Sequence, residues 1–331
     1  MPAAVRLGPS LRLEMGYVRA HALCYRAAVN RLLQSVPSTR LGIAFMLLAV
    51  LMFALNDTMG KWLVATYSVG QLLMLRSIAA FIVLSPLIVR AGWRTLVDVP
   101  RPGLLITRAL LAAAEVGAFY LAVAYLPLAD VITYWMAAPI YVAALSPLLL
   151  GEKVGWRRWT AIVIGFIGVV IAMEPSAQTL TLPALISIGG SMLFALMMVA
   201  GRALRGTSDL AMVFWPILVS GIGGAATVPF GWVTPTGFDL ALLGLLGVVA
   251  LAAHFFVNRS LALADASTVT PYQYTLLVWA VLFGWLFFGE VPRTAMLIGA
   301  AVIVASGLYI FFREQTLGRR QTAQAGDLPG S

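Results

Sequence analysis

Cysteine is almost absent from this chain: Cys24 is the only one in 331 residues. That excludes an internal disulfide and any cysteine-based zinc cluster. Histidine is nearly as scarce, with only His21 and His254, too few for a histidine-rich metal site. Charge is thin as well. Asp, Glu, Lys and Arg make up 11% of the residues, where a soluble domain holds about a quarter. No phosphate-binding glycine loop, dinucleotide fingerprint or nucleophile–base constellation is written in the chain. Neither an enzymatic activity nor a cofactor is therefore expected. Apolar residues fill the space instead, at 61% of the chain, with a mean hydropathy of +0.94. That places the chain in the membrane class. The net charge of +9 then reads as a determinant of topology, not as a nucleic-acid footprint. Residues 1–40 carry scattered arginines and no apolar stretch of the signal-peptide kind, so no cleavable leader is expected.

A membrane-crossing helix needs about 20 mostly apolar residues. Ten such segments are expected, near 41–62, 70–90, 103–123, 129–150, 157–174, 183–203, 211–231, 238–260, 266–288 and 293–312. The breaks between them, such as "AGWRTLVDVPRPG", "GEKVGWRR" and "VTPTGFD", are rich in turn and loop residues. They are too short for a separate soluble domain. With the N-terminus inside, every one of the 22 basic residues except Lys61, Arg76 and Arg293 falls on the inner side. Cytoplasmic loops carry this excess, so both termini are expected in the cytoplasm. Arg108 is counted with the inner group. Arg12, Arg19 and Arg26 recur every seven residues, a pattern that fits a basic face on anionic lipid. Met15 is an alternative start, and residues 1–40 read as a basic tail.

The chain repeats itself. "FALNDTMGKWL" at 53–63 aligns with "FALMMVAGRAL" at 194–204, so that Gly60-Lys61 matches Gly201-Arg202. Leu128-Ala129-Asp130 matches Leu263-Ala264-Asp265, and Gly151-Glu152 matches Gly289-Glu290, 138 positions later. Residues 41–174 and 183–312 are therefore read as two five-helix repeats, followed by a cytoplasmic tail at 313–331. Five is odd, so the second copy enters the membrane from the opposite side. The fold class expected is an all-α integral membrane protein with an inverted five-plus-five repeat. Such inverted repeats mark many secondary transporters, with the substrate site near the midplane between the halves. Gly165, Gly168, Gly221, Gly223, Gly224, Gly299 and Gly307 are expected to let helices approach closely.

Ionisable and polar residues at membrane depth point to a site. Asp57 lies about 24 Å along the first span, and Arg76 about 9 Å below the outer start of the second. Nearly level, they are expected to pair, as a gate or as a structural ion pair, with Asn56 beside them. Lys61, one turn higher, reads as an anchor that snorkels to the headgroups. Glu115 sits about 18 Å along the third span, with no basic partner at helical spacing in "LLAAAEVGAFY". It can hold a proton, a cationic group or a donor on the substrate, or bond to a neighbouring helix. His254 and Asn258 share a face of the eighth span. Tyr134 and Trp135, then Tyr272, Gln273 and Tyr274, stand beside Pro139 and Pro271. Broken helices near a repeat interface favour binding, although Tyr and Trp also form belts at membrane interfaces.

The ten spans, the inverted repeat and a Gly-Glu turn after the fourth and ninth helices resemble the drug/metabolite transporter superfamily, EamA type. The likeness covers about residues 40–313. "FALNDTMGKWLVATYSVGQ" and "ADASTVTPYQYTLLVWAVLFGW" are similar to bacterial riboflavin uptake transporters. The Asn-Asp-x-Met-x-Lys pattern and "PYQY" are also similar to S-adenosylmethionine uptake transporters. The resemblance implies a multi-pass transporter of the bacterial inner membrane, working on a small-molecule substrate, surrounded by the lipid bilayer and able to pair as a homodimer. Riboflavin is the leading substrate. S-adenosylmethionine or another cofactor-like metabolite, export of a metabolite or drug, and a structural membrane subunit are the alternatives.

Overall fold

The computed structural model describes residues 38–150, 155–174, 181–204, 206–264 and 266–326. The basic tail with Met15 and its spaced arginines, the first Gly-Glu turn and Asp265 lie outside the described residues. All regular structure among the described residues is helical. The main helices are α1 (Ser38–Val64), α2 (Val69–Ala91), α3 (Pro102–Val123), α4 (Leu128–Met136), α5 (Ala138–Leu150), α6 (Trp156–Met173), α7 (Leu182–Ala203), α8 (Asp209–Thr227), α9 (Gly237–Leu263), α10 (Thr275–Phe288) and α11 (Thr294–Gly326). Among the described residues, nine segments are long and apolar enough to cross a membrane, and Trp159–Met173 is a shorter apolar helix. A helix is the form in which a lone segment satisfies all its backbone groups in lipid.

Helix ends follow local chemistry. Ser68, Thr181, Ser208 and Thr236 each accept a backbone N–H at the start of α2, α7, α8 and α9, as N-caps do. Pro102 and Pro183 stand in the first turns of α3 and α7, where the missing N–H costs nothing. The fourth span is not one continuous helix. It breaks at Ala137, between Met136 and Ala138, because Pro139 has no N–H to give the Trp135 carbonyl one turn back and its ring crowds that carbonyl. The ninth span behaves alike: Thr270–Tyr274, which contains Pro271, is a 3-10 turn ahead of α10.

The two repeats interlock by exchange. α1 packs on α9 and α10, while their equivalents α7, α3 and α5 pack together in the same way. α2 meets α9 as α8 meets α3, and α2–α8 and α6–α11 are contacts between equivalent helices. The correspondence reaches single residues. A Cβ on Gly168 would lie 3.1 Å from the Gly299 carbonyl. Moving each residue by the 138 positions that separate the Gly-Glu turns turns that pair into Ser306 and Ala161. Ser306 Oγ donates to the Ala161 carbonyl at 2.5 Å. At the α2–α8 crossing, Gly224 faces the Gly70 carbonyl so closely that no side chain fits. Small residues at these crossings allow backbone to meet backbone.

Candidate functional site

The end of the bundle holding Ser38 is called proximal here, and the end holding the α1–α2 turn distal. In the distal half of the bundle, a polar cluster joins the repeats. Asn56 of α1 is buried. Its Nδ2 donates to the Leu246 carbonyl of α9 at 2.7 Å, and its Oδ1 accepts from the Tyr120 hydroxyl of α3 at 3.1 Å. Arg76 of α2 donates to that same Tyr120 oxygen at 2.9 Å, with its guanidinium 5.4 Å from the ring centroid. A continuous relay thus runs from Arg76 through Tyr120 and Asn56 to the other repeat. Gly60 makes room for it, because a Cβ there would enter the Tyr120 ring. On α3, Glu115 is buried and accepts the Trp135 indole N–H at 2.6 Å. Trp135 is held from behind by Phe119, edge-on at 5.2 Å.

Asp57 and Arg76 do not form the expected ion pair. The Tyr120 hydroxyl lies within Arg76's reach and takes its donor, and Asp57 makes no hydrogen bond or ion pair to any described residue. The charges of Asp57, Arg76 and Glu115 nevertheless act on one another. His254 of α9 belongs to the same neighbourhood. Its ring stands edge-on to Phe53 at 5.1 Å, and the charges of Arg76 and Arg108 reach it. Its ring is exposed.

The remaining sequence candidates are not gathered there. Asn258 and Gln273 are exposed and make no hydrogen bond among the described residues. Tyr272 packs on Met46, Val50 and Val269. The Tyr274 hydroxyl lies over Gly307 of α11. Tyr134 is buried in the main apolar core, so neither it nor Trp135 is a membrane-interface belt residue.

The distal end is fastened by charges that the sequence reading set aside. Lys61 is not a snorkelling anchor. Its Nζ lies 2.5 Å from Glu290 Oε1 and donates to the Leu126 carbonyl at 2.6 Å, with only 11% of the side chain exposed. The Gly-Glu turn explains the partner. α10 ends on Gly289 in the left-handed region, φ 65°, which favours glycine. Glu290 then folds back, its N–H donating to the Gly284 carbonyl at 3.0 Å. Its Oε2 accepts the Leu128 N–H at 2.8 Å, so α4, whose N-cap is Pro127, is capped from the other repeat. Arg293 reaches back likewise to Asp130 at 3.0 Å and Glu174 at 3.1 Å. Tyr67 donates to Asp239 at 2.7 Å, and that bond holds the phenol above its ordinary range.

Two residues of this interior, Tyr120 in the cluster and Arg108 toward the proximal end, are not singled out by the sequence. Tyr120 reads as an ordinary aromatic near a helix end, and only the fold puts its hydroxyl between Arg76 and Asn56. Arg108 carries a signal that depth reveals: it lies about 9 Å inside α3, not in the loop.

Residues 40–173 and 181–312 each match the model of the EamA-like transporter family. The chain belongs to that family. Among EamA relatives, an S-adenosylmethionine uptake transporter of Rickettsia conorii is 28% identical over 86% of this chain and 97% of its own length. Riboflavin transporters of Rhizobium johnstonii and Vibrio cholerae are each 30% identical, over 84% and 85% of this chain and 93% and 96% of theirs. A crystal structure 17% identical superposes with a TM-score of 0.55 over 86% of this chain and 98% of that one, a likeness in fold alone. The duplicated all-helical architecture and the membrane-transporter reading of the sequence both stand.

Proposed function

We propose that this EamA protein imports a cofactor-like metabolite across the bacterial inner membrane by alternating access, with S-adenosylmethionine ahead of riboflavin as substrate. In this reading the distal end faces outward, both termini are cytoplasmic, the repeats at 41–174 and 183–312 rock against each other, and two copies can pair. The observation that carries it is Asp57, a carboxylate at membrane depth with no partner among the described residues, beside Glu115 and Arg76. Two carboxylates, Asp57 and Glu115, stand against the single guanidinium of Arg76; an excess charge at membrane depth is costly, and a cationic substrate group removes that cost. S-adenosylmethionine offers a sulfonium and an ammonium to the carboxylates, and a carboxylate of its own to a cation. Riboflavin is uncharged and leaves that excess negative charge in place.

Riboflavin led the sequence reading because Tyr134, Trp135, Tyr272 and Tyr274 promised a stacking surface. Tyr134 and Tyr274 are committed to packing elsewhere, which moves the weight from rings to charges. Riboflavin stays as the second reading on the strength of the 30% identical relatives. Uptake of labelled S-adenosylmethionine and labelled riboflavin into cells lacking their own importers decides between them. Accumulation of S-adenosylmethionine alone is expected. Asp57→Asn and Glu115→Gln should each lower it about tenfold or more, the worth of a charged hydrogen bond. Rescue of a riboflavin auxotroph on low riboflavin, with no S-adenosylmethionine entry, would reverse the order. Glu115→Gln kinetics unchanged at every pH would remove Glu115 from the site.

A further inference from the structure

Arg108 is the cation of this interior that no acidic residue answers. It projects from α3 between the repeats, and its Nη1 donates to the Met212 carbonyl of α8 at 3.1 Å. Its Nε is buried without a hydrogen-bond partner, facing Gly201 of α7, on which a Cβ would lie 3.4 Å away. No ion pair to Arg108 forms among the described residues. Buried donors are satisfied as a rule, and an orphan needs a reason, an ion or ligand group among them. Arginine's planar fork suits a carboxylate in particular.

The placement supplies the reason. Arg108 and Glu115 are seven apart on α3, so both lie on one face, about 10 Å from each other along the axis. The charge of Arg108 reaches His254 of α9, as that of Arg76 does. The interior is therefore polarised along its length, with carboxylates at Asp57 and Glu115 and an unanswered guanidinium on the proximal side. Arg76 is less free to play this part, since Tyr120 takes one of its donors and both carboxylates balance its charge.

The geometry points to Arg108 as the residue that binds the carboxylate of a substrate carrying both a cationic centre and a carboxylate, with the cationic centre held by Asp57 and Glu115. This deepens the proposed function and rests on it: the substrate class is an amino-acid conjugate, oriented with its carboxylate toward the cytoplasm.

The test is a ligand-by-variant cycle. Uptake of S-adenosylmethionine and of its decarboxylated form is measured in cells producing the full-length protein, as wild type, Arg108→Gln and Arg108→Lys. Wild type is expected to favour S-adenosylmethionine by about tenfold or more, and Arg108→Gln to bring the two within about twofold, because only the carboxylate loses its partner. Arg108→Lys keeps the charge without the fork and should lie between. It also serves if Arg108→Gln fails to reach the membrane. Uptake of both compounds falling in equal proportion in the variants would make Arg108 a helix fastening or a lipid contact, and would overturn the assignment. So would a wild type that takes up both alike, although the proposed substrate would stand. Wild type importing riboflavin and neither sulfonium compound would overturn both.

Discussion

Tyr120 shows how one side chain ties three helices at a single oxygen and reaches a fourth through Asn56. It accepts from Arg76 and donates to Asn56, whose own amide reaches α9, and the ring needs the space above Gly60. Gly60→Ala should therefore displace the ring and break the relay. Overpacking of this kind costs about 1–3 kcal/mol. A lower melting temperature in detergent and lost uptake are the expected readouts; wild-type values for both would show that the ring yields without consequence. Asn56, Asp57 and Glu115 were legible in the sequence because lipid penalises polar groups, so depth alone marks them. Their partners were not. Trp135 stood out as an aromatic beside a proline, yet nothing in its neighbours says that its indole N–H meets Glu115. Depth tells where a residue sits along its own helix, whereas a hydrogen bond depends on the rotation of two.

At the scale of elements, the legible features are those with a local cause. Twenty apolar residues force a helix, and Pro139 and Pro271 break two of them where expected. The Gly-Glu turn was recognisable as a repeated mark but not as a device. Gly289 reverses the chain so that Glu290 can cap α4 and hold Lys61. Lys61 was misread because the chain shows its depth and not its neighbour. Both side chains are largely shielded, at 11% and 20% exposure, so breaking the pair should cost more than the ~0–1 kcal/mol of a surface bridge and less than the ~3–5 kcal/mol of a fully buried one. Since the bond joins the two repeats, Lys61→Gln should loosen the distal end. Cysteines placed there would then react faster with a membrane-impermeant thiol reagent. Exchanging the charges, Lys61→Glu with Glu290→Lys, should restore slow labelling in part, because the Leu128 N–H loses its acceptor. Equal labelling in wild type and Lys61→Gln would mean that the bond does not hold this end closed.

Across the whole molecule, the duplication seen in the sequence becomes a rule of assembly, since the main contacts couple one repeat to the other. A chain divided within residues 175–180, between the last helix of the first repeat and the first of the second, should therefore reassemble. Co-produced halves are expected to copurify and to restore measurable uptake, and halves that fail to associate would show that the covalent link is needed to hold the interface.

The α6–α11 contact has a consequence for how such a molecule moves. If the inward-open and outward-open forms arise by the repeats trading conformations, every contact is carried onto its counterpart, and only those without a matching counterpart are made or broken. The Gly168–Gly299 and Ser306–Ala161 contacts are carried onto each other. Their pairing is the same before and after the trade, so the α6–α11 crossing, like that of α2 with α8, is expected to hold still while contacts without a counterpart change.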